Sequence, residues 1–167
     1  DLFVVHDHGD FAGKMKAEFY DLATDSVVRS EEREVSGLGH RSTAIGKLNV
    51  AGFDAATTVV FVSLLSAGGE LLARQAYLLG KPRQLKLKPA NVQVSSRPLD
   101  NGDTAIALTT DVFAKDVGVL NVPGALSDNF FDLRAGETRE IVLKGSLPEG
   151  AELRAISLNG IRTIGYV

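Results

Sequence analysis

The sequence contains no cysteine among its 167 residues. Without cysteine the chain has neither a disulfide framework nor a thiol nucleophile, so both kinds of chemistry are excluded. The absence fits a reducing compartment and is equally compatible with a bacterial periplasm or the exterior. The sequence therefore leaves open whether the protein is cytoplasmic, periplasmic or secreted.

Long hydrophobic runs are absent as well. The longest, residues 59–65, is interrupted by Ser63 and falls far short of the about 20 residues that span a bilayer. The chain begins at Asp1 with neither an initiator methionine nor a signal segment. We therefore expect no membrane partner, and we interpret the chain as part of a longer polypeptide whose upstream portion holds any activity.

The sequence also lacks a dense block of positive charge. Its formal net charge is −3, which argues against nucleic acid or an anionic membrane as the main partner. The nearest approach to a basic patch lies in residues 81–89, where two prolines favour a solvated linker. Its basic residues are Lys81, Arg83, Lys86 and Lys88.

No helical period persists over ten residues of the chain. Short alternating or β-branched runs recur instead, with turn residues between them at the spacing of roughly 8 to 12 residues that is typical of β-sandwiches. The sequence therefore predicts an all-β fold of two tandem immunoglobulin-like antiparallel β-sandwich domains. The predicted strands are 2–6, 14–22, 27–35, 43–50, 57–66, 70–79, one from 92, 104–110, 114–120, one with 130–131, 138–144, 153–158 and 161–166.

Several of these strands carry more specific expectations. Strand 14–22 alternates, with Met15 on its apolar face and Tyr20 on the other. Strand 27–35 is rich in charge and predicts an exposed sheet edge, whereas 57–66 is apolar on both faces and predicts a central strand. Asn159-Gly160 tolerates the positive φ of a type I′ turn and predicts a terminal hairpin.

Pro82 and Pro89 mark the expected domain boundary. They flank Leu85-Lys86-Leu87, whose backbone is favoured in an extended conformation by its proline neighbours. An extended segment of this kind can carry the chain from one module to the next. We therefore predict one β-sandwich domain at 1–84 and a second at 85–167.

The most informative stretch is 127–140, SDNFFDLRAGETRE. Side chains alternate across a strand, so a strand containing Phe130 and Phe131 would direct them to opposite faces. One of the two rings then needs cover from outside its own sheet's core. Gly136 supplies the backbone freedom for a corner before the next strand.

Residues 111–117 (DVFAKDV), 127–133 (SDNFFDL) and 136–137 (GE) resemble the C-terminal immunoglobulin-like module of β-mannosidases in glycoside hydrolase family 2. This resemblance covers 90–167. Upstream, 2–7, 13–14 and 77–87 are similar to the β-sandwich that follows the catalytic barrel of the same enzymes. The chain departs from the family pattern at Ala135, where proline often precedes the glycine; alanine is compatible with the same turn but less rigid.

The resemblance implies a parent enzyme that removes terminal β-D-mannose from non-reducing ends with retention of the anomeric configuration. Such an enzyme uses two glutamates on a (β/α)₈ barrel. A barrel of that kind needs about 250 residues and is not encoded here. We therefore expect this chain to be a non-catalytic accessory portion that packs on the barrel of the same polypeptide and meets mannose-containing oligosaccharides only through it. No catalytic, cofactor-binding or metal-binding residue is carried over to it.

Two polar clusters invite a metal interpretation. His6, Asp7, His8 and Asp10 have metal-ligand chemistry, and on a strand His6 and His8 would face the same side, a geometry that zinc can use. No third and fourth ligand for these two histidines is apparent nearby. A polar strand end that enters a turn explains the four residues better. The aspartates Asp100, Asp103, Asp111 and Asp116 lack the regular ligand spacing of a calcium loop. We expect Asp100 and Asp103 to form a hairpin turn and Asp111 to bond nearby backbone.

Two further functions compete with the accessory role. Carbohydrate-binding modules stack sugar rings on exposed aromatics; the chain has no tryptophan, and Tyr20 and Tyr77 are its most plausible exposed platforms. We expect core or interface roles for these rings. Free-standing immunoglobulin-like modules for adhesion or spacing are the other alternative.

Overall fold

A computed structural model of the chain describes residues 1–7 and 9–163. It contains two compact units, Asp1–Lys86 and Leu87–Val167. Antiparallel strands build both units, which confirms the predicted all-β class. The described residues include no helix long and apolar enough to cross a bilayer.

The described residues of the first unit form six strands in two antiparallel sheets. Its strands are β1 Leu2–His6, β2 Phe11–Asp21, β3 Ser26–Gly37, β4 Arg41–Gly46, β5 Thr58–Ser66 and β6 Leu71–Leu78. One sheet has the order β3-β2-β5-β6, and β1 pairs with β4 in the other. The charged strand β3 is thus at a sheet edge and β5 is internal, as the sequence predicts.

The apolar face of β2 forms the centre of this unit. Met15, Ala17 and Phe19 are buried in alternation, because every second side chain of the strand faces the core. Phe19 stacks on Phe53 with ring centroids 4.4 Å apart, and the Arg29 guanidinium lies over the Phe19 ring. The predicted alternation of this strand is confirmed.

In its described residues the second unit has two three-stranded sheets and a short helix. Its elements are β7 Val92–Pro98, β8 Thr104–Thr110, β9 Ala114–Leu120, β10 Phe131–Leu133, β11 Thr138–Leu143, β12 Arg154–Ile156 and α1 Leu158–Thr163. The sheet orders are β11-β8-β7 and β10-β9-β12. Strands of both sheets contribute side chains to the core, which contains Ile106, Leu108, Val117, Leu133, Ile141 and Leu143.

Two predicted turns of this unit are confirmed. Leu99 and Asp103 close the β7–β8 hairpin through a hydrogen bond from the Leu99 N–H to the Asp103 carbonyl, and Gly102 has φ 82°. At the second corner Gly136 has φ 72° and donates its N–H to the Thr110 carbonyl. Both glycines occupy the left-handed region that side chains disfavour.

The predicted terminal hairpin is wrong. Asn159 and Gly160 lie inside α1, and Asn159 is buried with its amide bonded to three backbone groups. These distant bonds outweigh the local preference of Asn-Gly for a turn. The predicted strand 161–166 is helical as far as 163, and its remainder lies outside the described residues.

The linker is only partly extended. Pro82–Gln84 forms a single 3₁₀ turn, after which Leu85 takes extended angles and is buried. The Lys86 N–H donates to the Ala56 carbonyl at 2.8 Å, so the chain is held to the first unit up to that point. The boundary predicted between 84 and 85 stays a prediction, two residues before the division between the units.

Candidate functional site

Of the histidine and aspartate cluster near the start of the chain, His6 ends β1, and Asp7 and Asp10 lie between β1 and β2. The side chain of His6 and the whole of His8 lie outside the described part of the structure. Asp10 accepts a hydrogen bond from the Gly39 N–H at 3.2 Å, and Asp7 is exposed. Within the described ranges no three His, Asp or Glu side chains are grouped as metal ligands.

Two of the four candidate aspartates of the second unit, Asp103 and Asp111, have separate structural partners. Asp103 accepts bonds from the Lys144 ammonium and the Gly145 N–H, and the first of these is the main cause of its lowered pKa. Asp111 accepts from the Asn91 N–H at 3.0 Å, as expected for a residue that bonds nearby backbone. These carboxylates fasten turns and strand ends.

Asp116 belongs to a more buried ionic cluster. The Lys115 ammonium lies 2.9 Å from Asp116 Oδ1 and 3.3 Å from Asp132 Oδ1, and Asp132 also accepts the Asp116 N–H. Burial acts to lower the pKa of Lys115, but the bonds and charges of the two carboxylates outweigh it and raise that pKa. The cluster ties β9 to β10 and holds both carboxylates against a cation.

Beside this cluster Asn129 supports an unusual loop. Its Oδ1 accepts the N–H groups of Val119 and Phe130, and its Nδ2 donates to the Val119 carbonyl. These bonds hold Phe130 at φ 62° just before β10 begins. Sequence reasoning did not identify the structural roles of Asn129, Asn159 or the Lys115 cluster, because each depends on bonds to residues 10 to 71 positions away in the chain.

Phe130 and Phe131 have opposite environments. Phe130 is 57% exposed, whereas Phe131 is 8% exposed and has the Arg139 guanidinium 4.3 Å from its ring centroid. That guanidinium also pairs with Asp128. One uncovered ring was predicted, but the reason given was wrong, because Phe130 precedes the strand and points outward through its own backbone conformation.

Gly118 provides the surface on which Phe130 lies. A Cβ at this position would come 2.8 Å from Asn129 Oδ1 and 3.0 Å from the Phe130 ring. Contacts that short are not tolerated, so a side chain here would displace the loop. Gly118, Asn129 and Phe130 therefore form one arrangement that presents an aromatic ring to the outside of the second unit.

The two candidate sugar platforms of the first unit differ. Tyr20 is buried, which excludes it as an exposed platform and agrees with the core role expected for it. It packs edge to face on Phe61 and lies opposite Val59, and both of those β5 side chains are buried too. The outer face of the sheet is therefore covered at this end. Tyr77 is exposed.

Tyr77 borders a groove of about 210 Å³ between β1 and β6. We call it the β1–β6 groove. Strand β1 lines one side of the groove and four residues of β6 line the other. The β6 residues are Ala73, Arg74, Gln75 and Tyr77, and the remaining lining residues are Met15, Ile45, Val62, Ser63 and Leu64. Phe3 and Val5 on the outward face of β1 are strongly exposed beside it.

Models of two protein families match the chain. Residues 1–84 match the Mannosidase Ig/CBM-like domain, and residues 87–159 match an Ig-fold domain. The immunoglobulin-like class predicted for both halves, and the resemblance to mannosidase modules, are thereby confirmed. A comparison with curated proteins finds no match.

Solved structures share the fold. A β-D-mannosidase from Dictyoglomus thermophilum is 20% identical, with a TM-score of 0.79 over 94% of this chain. An exo-chitosanase from Amycolatopsis orientalis is 18% identical, with a TM-score of 0.60 over 90% of this chain. The matched region is 20% of the first protein and 23% of the second, so the chain spans about a fifth of their length.

Proposed function

The chain belongs to the Mannosidase Ig/CBM-like domain family, and from this membership we propose that it is the non-catalytic C-terminal part of a β-mannosidase-like retaining glycoside hydrolase. The observation that carries the proposal is that two such domains occur in tandem and together match 94% of the chain to one β-D-mannosidase structure. The whole polypeptide, here called the parent enzyme, hydrolyses terminal non-reducing β-D-mannose.

The polar groups of the chain support an accessory role. A retaining glycosidase needs two carboxyl groups about 5 to 5.5 Å apart, one of which donates a proton to the leaving group. Asp116 and Asp132 both lie within ion-pair distance of the Lys115 ammonium, at 2.9 and 3.3 Å, so both carboxylates are engaged in the contacts that join β9 to β10. We assign no catalytic, cofactor-binding or metal-binding residue to this chain.

Phe130 is the side chain we place against the catalytic domain. A non-glycine residue in the left-handed region costs about 1 to 2 kcal/mol, and here Asn129 maintains it. The result is an aromatic ring held exposed to solvent at a cost in backbone conformation, and contact with another surface would offset that cost. Contacts between domains of one polypeptide bury about 600 to 1,500 Å², enough to include such a ring.

Hydrolysis of an aryl β-mannoside tests the proposal. The parent enzyme is expected to release the aryl group, and residues 1–167 alone are expected to give no turnover. Turnover by the 167-residue chain would overturn the accessory role. Failure of the parent enzyme on β-mannosides, with activity on another β-glycoside, would refute the substrate assignment and leave the accessory role standing.

Carbohydrate binding is the second candidate, and the exposed Tyr77 is the observation in its favour. Tyr77 stands alone as an exposed ring on β6, whereas sugar platforms gain affinity from flat aromatic surfaces. Calorimetry of the chain with manno-oligosaccharides is expected to give negligible heat. Micromolar affinity that Tyr77→Ala abolishes would replace the accessory role with a carbohydrate-binding one.

A further inference from the structure

Two strands of the first unit have an unpaired side at the β1–β6 groove. Among the described residues β1 pairs with β4 alone, and β6 is the last strand of its sheet. An immunoglobulin-like sandwich usually sets three or four strands on each side. Here the described strands number two on one side and four on the other, so the smaller sheet is open where it borders the groove.

The base of this groove is apolar. Met15 is buried at its floor, with the half-buried side chains of Val62 and Leu64 beside it on β5. The core of the unit thus reaches the surface between the two strands. An apolar floor bounded by two free strand edges matches an extended peptide, whose alternate side chains would fill the groove.

The strands that border the groove carry much less charge than β3, another edge strand of the same unit. Strand β3, also at an edge, carries charged side chains at 29, 31, 32, 33 and 34, which discourage pairing with another strand. Strand β1, LFVVH, carries no Asp, Glu, Lys or Arg, and β6 carries only Arg74. One edge is protected against strand addition and the other is not.

The outward face of β1 is apolar as well. Phe3 is 60% exposed and Val5 is 68% exposed, on a strand whose other face is in the core. Two large apolar side chains side by side on an uncharged edge are a liability for a free surface. They become an advantage when a neighbouring strand adds cross-strand contacts to both.

We propose that the β1–β6 groove binds an extended segment of the parent enzyme, which pairs with the free edge of β1 and inserts alternate apolar side chains over Met15. This inference rests on the proposed function. The chain spans a fifth of the length of the related β-D-mannosidase, so a parent enzyme of that size has ample further polypeptide to supply a strand. A segment of about five residues matches β1 in length.

A segment of the same polypeptide is favoured over a separate partner because covalent linkage raises the local concentration of that segment at the groove. Linkage converts the pairing into an intramolecular event with an effective concentration in the millimolar range. A short strand of modest affinity would then stay bound. Pairing between two copies of this chain would instead depend on protein concentration.

Amide hydrogen exchange of β1 tests the proposal in the chain alone and in the parent enzyme. We expect exchange of the Leu2–His6 amides to slow by about tenfold or more in the parent enzyme, since pairing protects them. The amides of the charged edge β3 are the internal control and should change less. Equal exchange of β1 in the two proteins would overturn the proposal.

Matched variants sharpen the test. Val5→Lys places a charge at the groove, and Val28→Lys places one at a similarly exposed valine of the protected β3 edge. In the chain alone both variants should keep the wild-type circular dichroism. In the parent enzyme Val5→Lys should remove the protection of β1, whereas Val28→Lys should retain it. Equal protection in both variants would refute pairing at β1.

Two other results would also decide the matter. Light scattering that finds a dimer of the chain, abolished by Val5→Lys, would assign the groove to a second copy and overturn the proposal. Hydrolysis of an aryl β-mannoside by the parent enzyme is scored separately. Activity with an unprotected β1 would refute this inference alone, and a protected β1 without that activity would refute the substrate assignment alone.

Discussion

Phe130 and Phe131 are adjacent in the chain, yet their rings should contribute very differently to stability. Phe131 is buried beneath the Arg139 guanidinium, so Phe131→Ala should lower the free energy of unfolding by about 3 to 5 kcal/mol. Phe130→Ala should lower it far less, because the ring is exposed. Urea unfolding of both variants measures the difference, and equal, large losses would show that both rings are covered within the chain.

Phe130→Gly is the control for backbone strain. Glycine adopts φ 62° without the cost that a side chain carries, so this variant should be at least as stable as Phe130→Ala. Both variants lack the ring. Any difference between them therefore reports the conformation that Asn129 imposes on this loop.

Asp103 should give the second unit an acid-sensitive contribution. The Lys144 ammonium and the Gly145 N–H lower its pKa in the folded state, so its stabilisation is present above the unfolded pKa of about 3.9. It is lost as the pH falls through the lower, folded value. The free energy of unfolding of Asp103→Asn, measured from pH 2 to 7, should therefore fall less steeply at acid pH than that of the wild type. We call this fall at acid pH the acid limb.

Asp100→Asn is the matched control for this pH dependence. Asp100 is an exposed aspartate of the same turn, three residues before Asp103. Its substitution should leave the acid limb at wild-type slope. An identical flattening in both variants would mean that the general charge of the turn, and not the bond from Lys144, causes the effect.

At the scale of elements, α1 depends on one buried amide. Asn159 donates to the carbonyls of Lys88 and Phe113 and accepts the Lys115 N–H, at 2.8 to 2.9 Å. Asn159→Ala leaves these three backbone groups without that partner. The bond to the Phe113 carbonyl is buried and the other two are partly buried, so the loss should be about 1 to 3 kcal/mol, the cost of one buried polar group that loses its hydrogen bond.

Thermal or urea unfolding measures this loss, with Asn91→Ala as the control. The Asn91 side chain is exposed, and the bond it contributes to Asp111 comes from its backbone N–H, which alanine retains. Asn91→Ala should therefore be close to wild type. A loss at Asn159 no larger than at Asn91 would contradict the role of the amide in holding α1.

The strands could be predicted from the sequence because their signal is local. Alternation along β2 and charge along β3 are properties of neighbouring residues, and the structure has both as expected. By contrast, the carbonyls of Phe113 and Lys88 that accept hydrogen bonds from Asn159 lie 46 and 71 residues away from it in the chain, so no local pattern predicts these bonds. The burial of Tyr20 had a signal in the sequence, since apolar residues on both faces of β5 already required cover on its outer face.

The candidate site was predictable to a lesser degree. Two adjacent phenylalanines indicated that one ring needs cover from outside its sheet, and Phe130 is that ring. The sequence could not indicate how Phe130 is exposed, because its positive φ depends on bonds between Asn129 and Val119 on another strand. Conformations of this kind are fixed by tertiary contacts and not by residue preference.

At the scale of the whole molecule, the two domains should fold separately if each contains its own core. Each of the two units has its own cluster of buried apolar residues, which is the requirement for independent folding. The proposed boundary after residue 84 omits Leu85, which is buried, and Lys86, whose N–H bonds the Ala56 carbonyl. The exact division therefore has a measurable consequence.

Fragments 1–84, 1–86 and 87–167 test where the first domain ends. We expect 1–86 and 87–167 to unfold cooperatively, and 1–84 to be less stable than 1–86 by about 1.5 to 3 kcal/mol, the value of one buried leucine side chain. Leu85→Ser in fragment 1–86 separates the side chain from the Lys86 bond, because it removes only the former. If 1–84 proves as stable as 1–86, then Leu85 contributes nothing to the first domain and the boundary predicted from the two prolines is the better one.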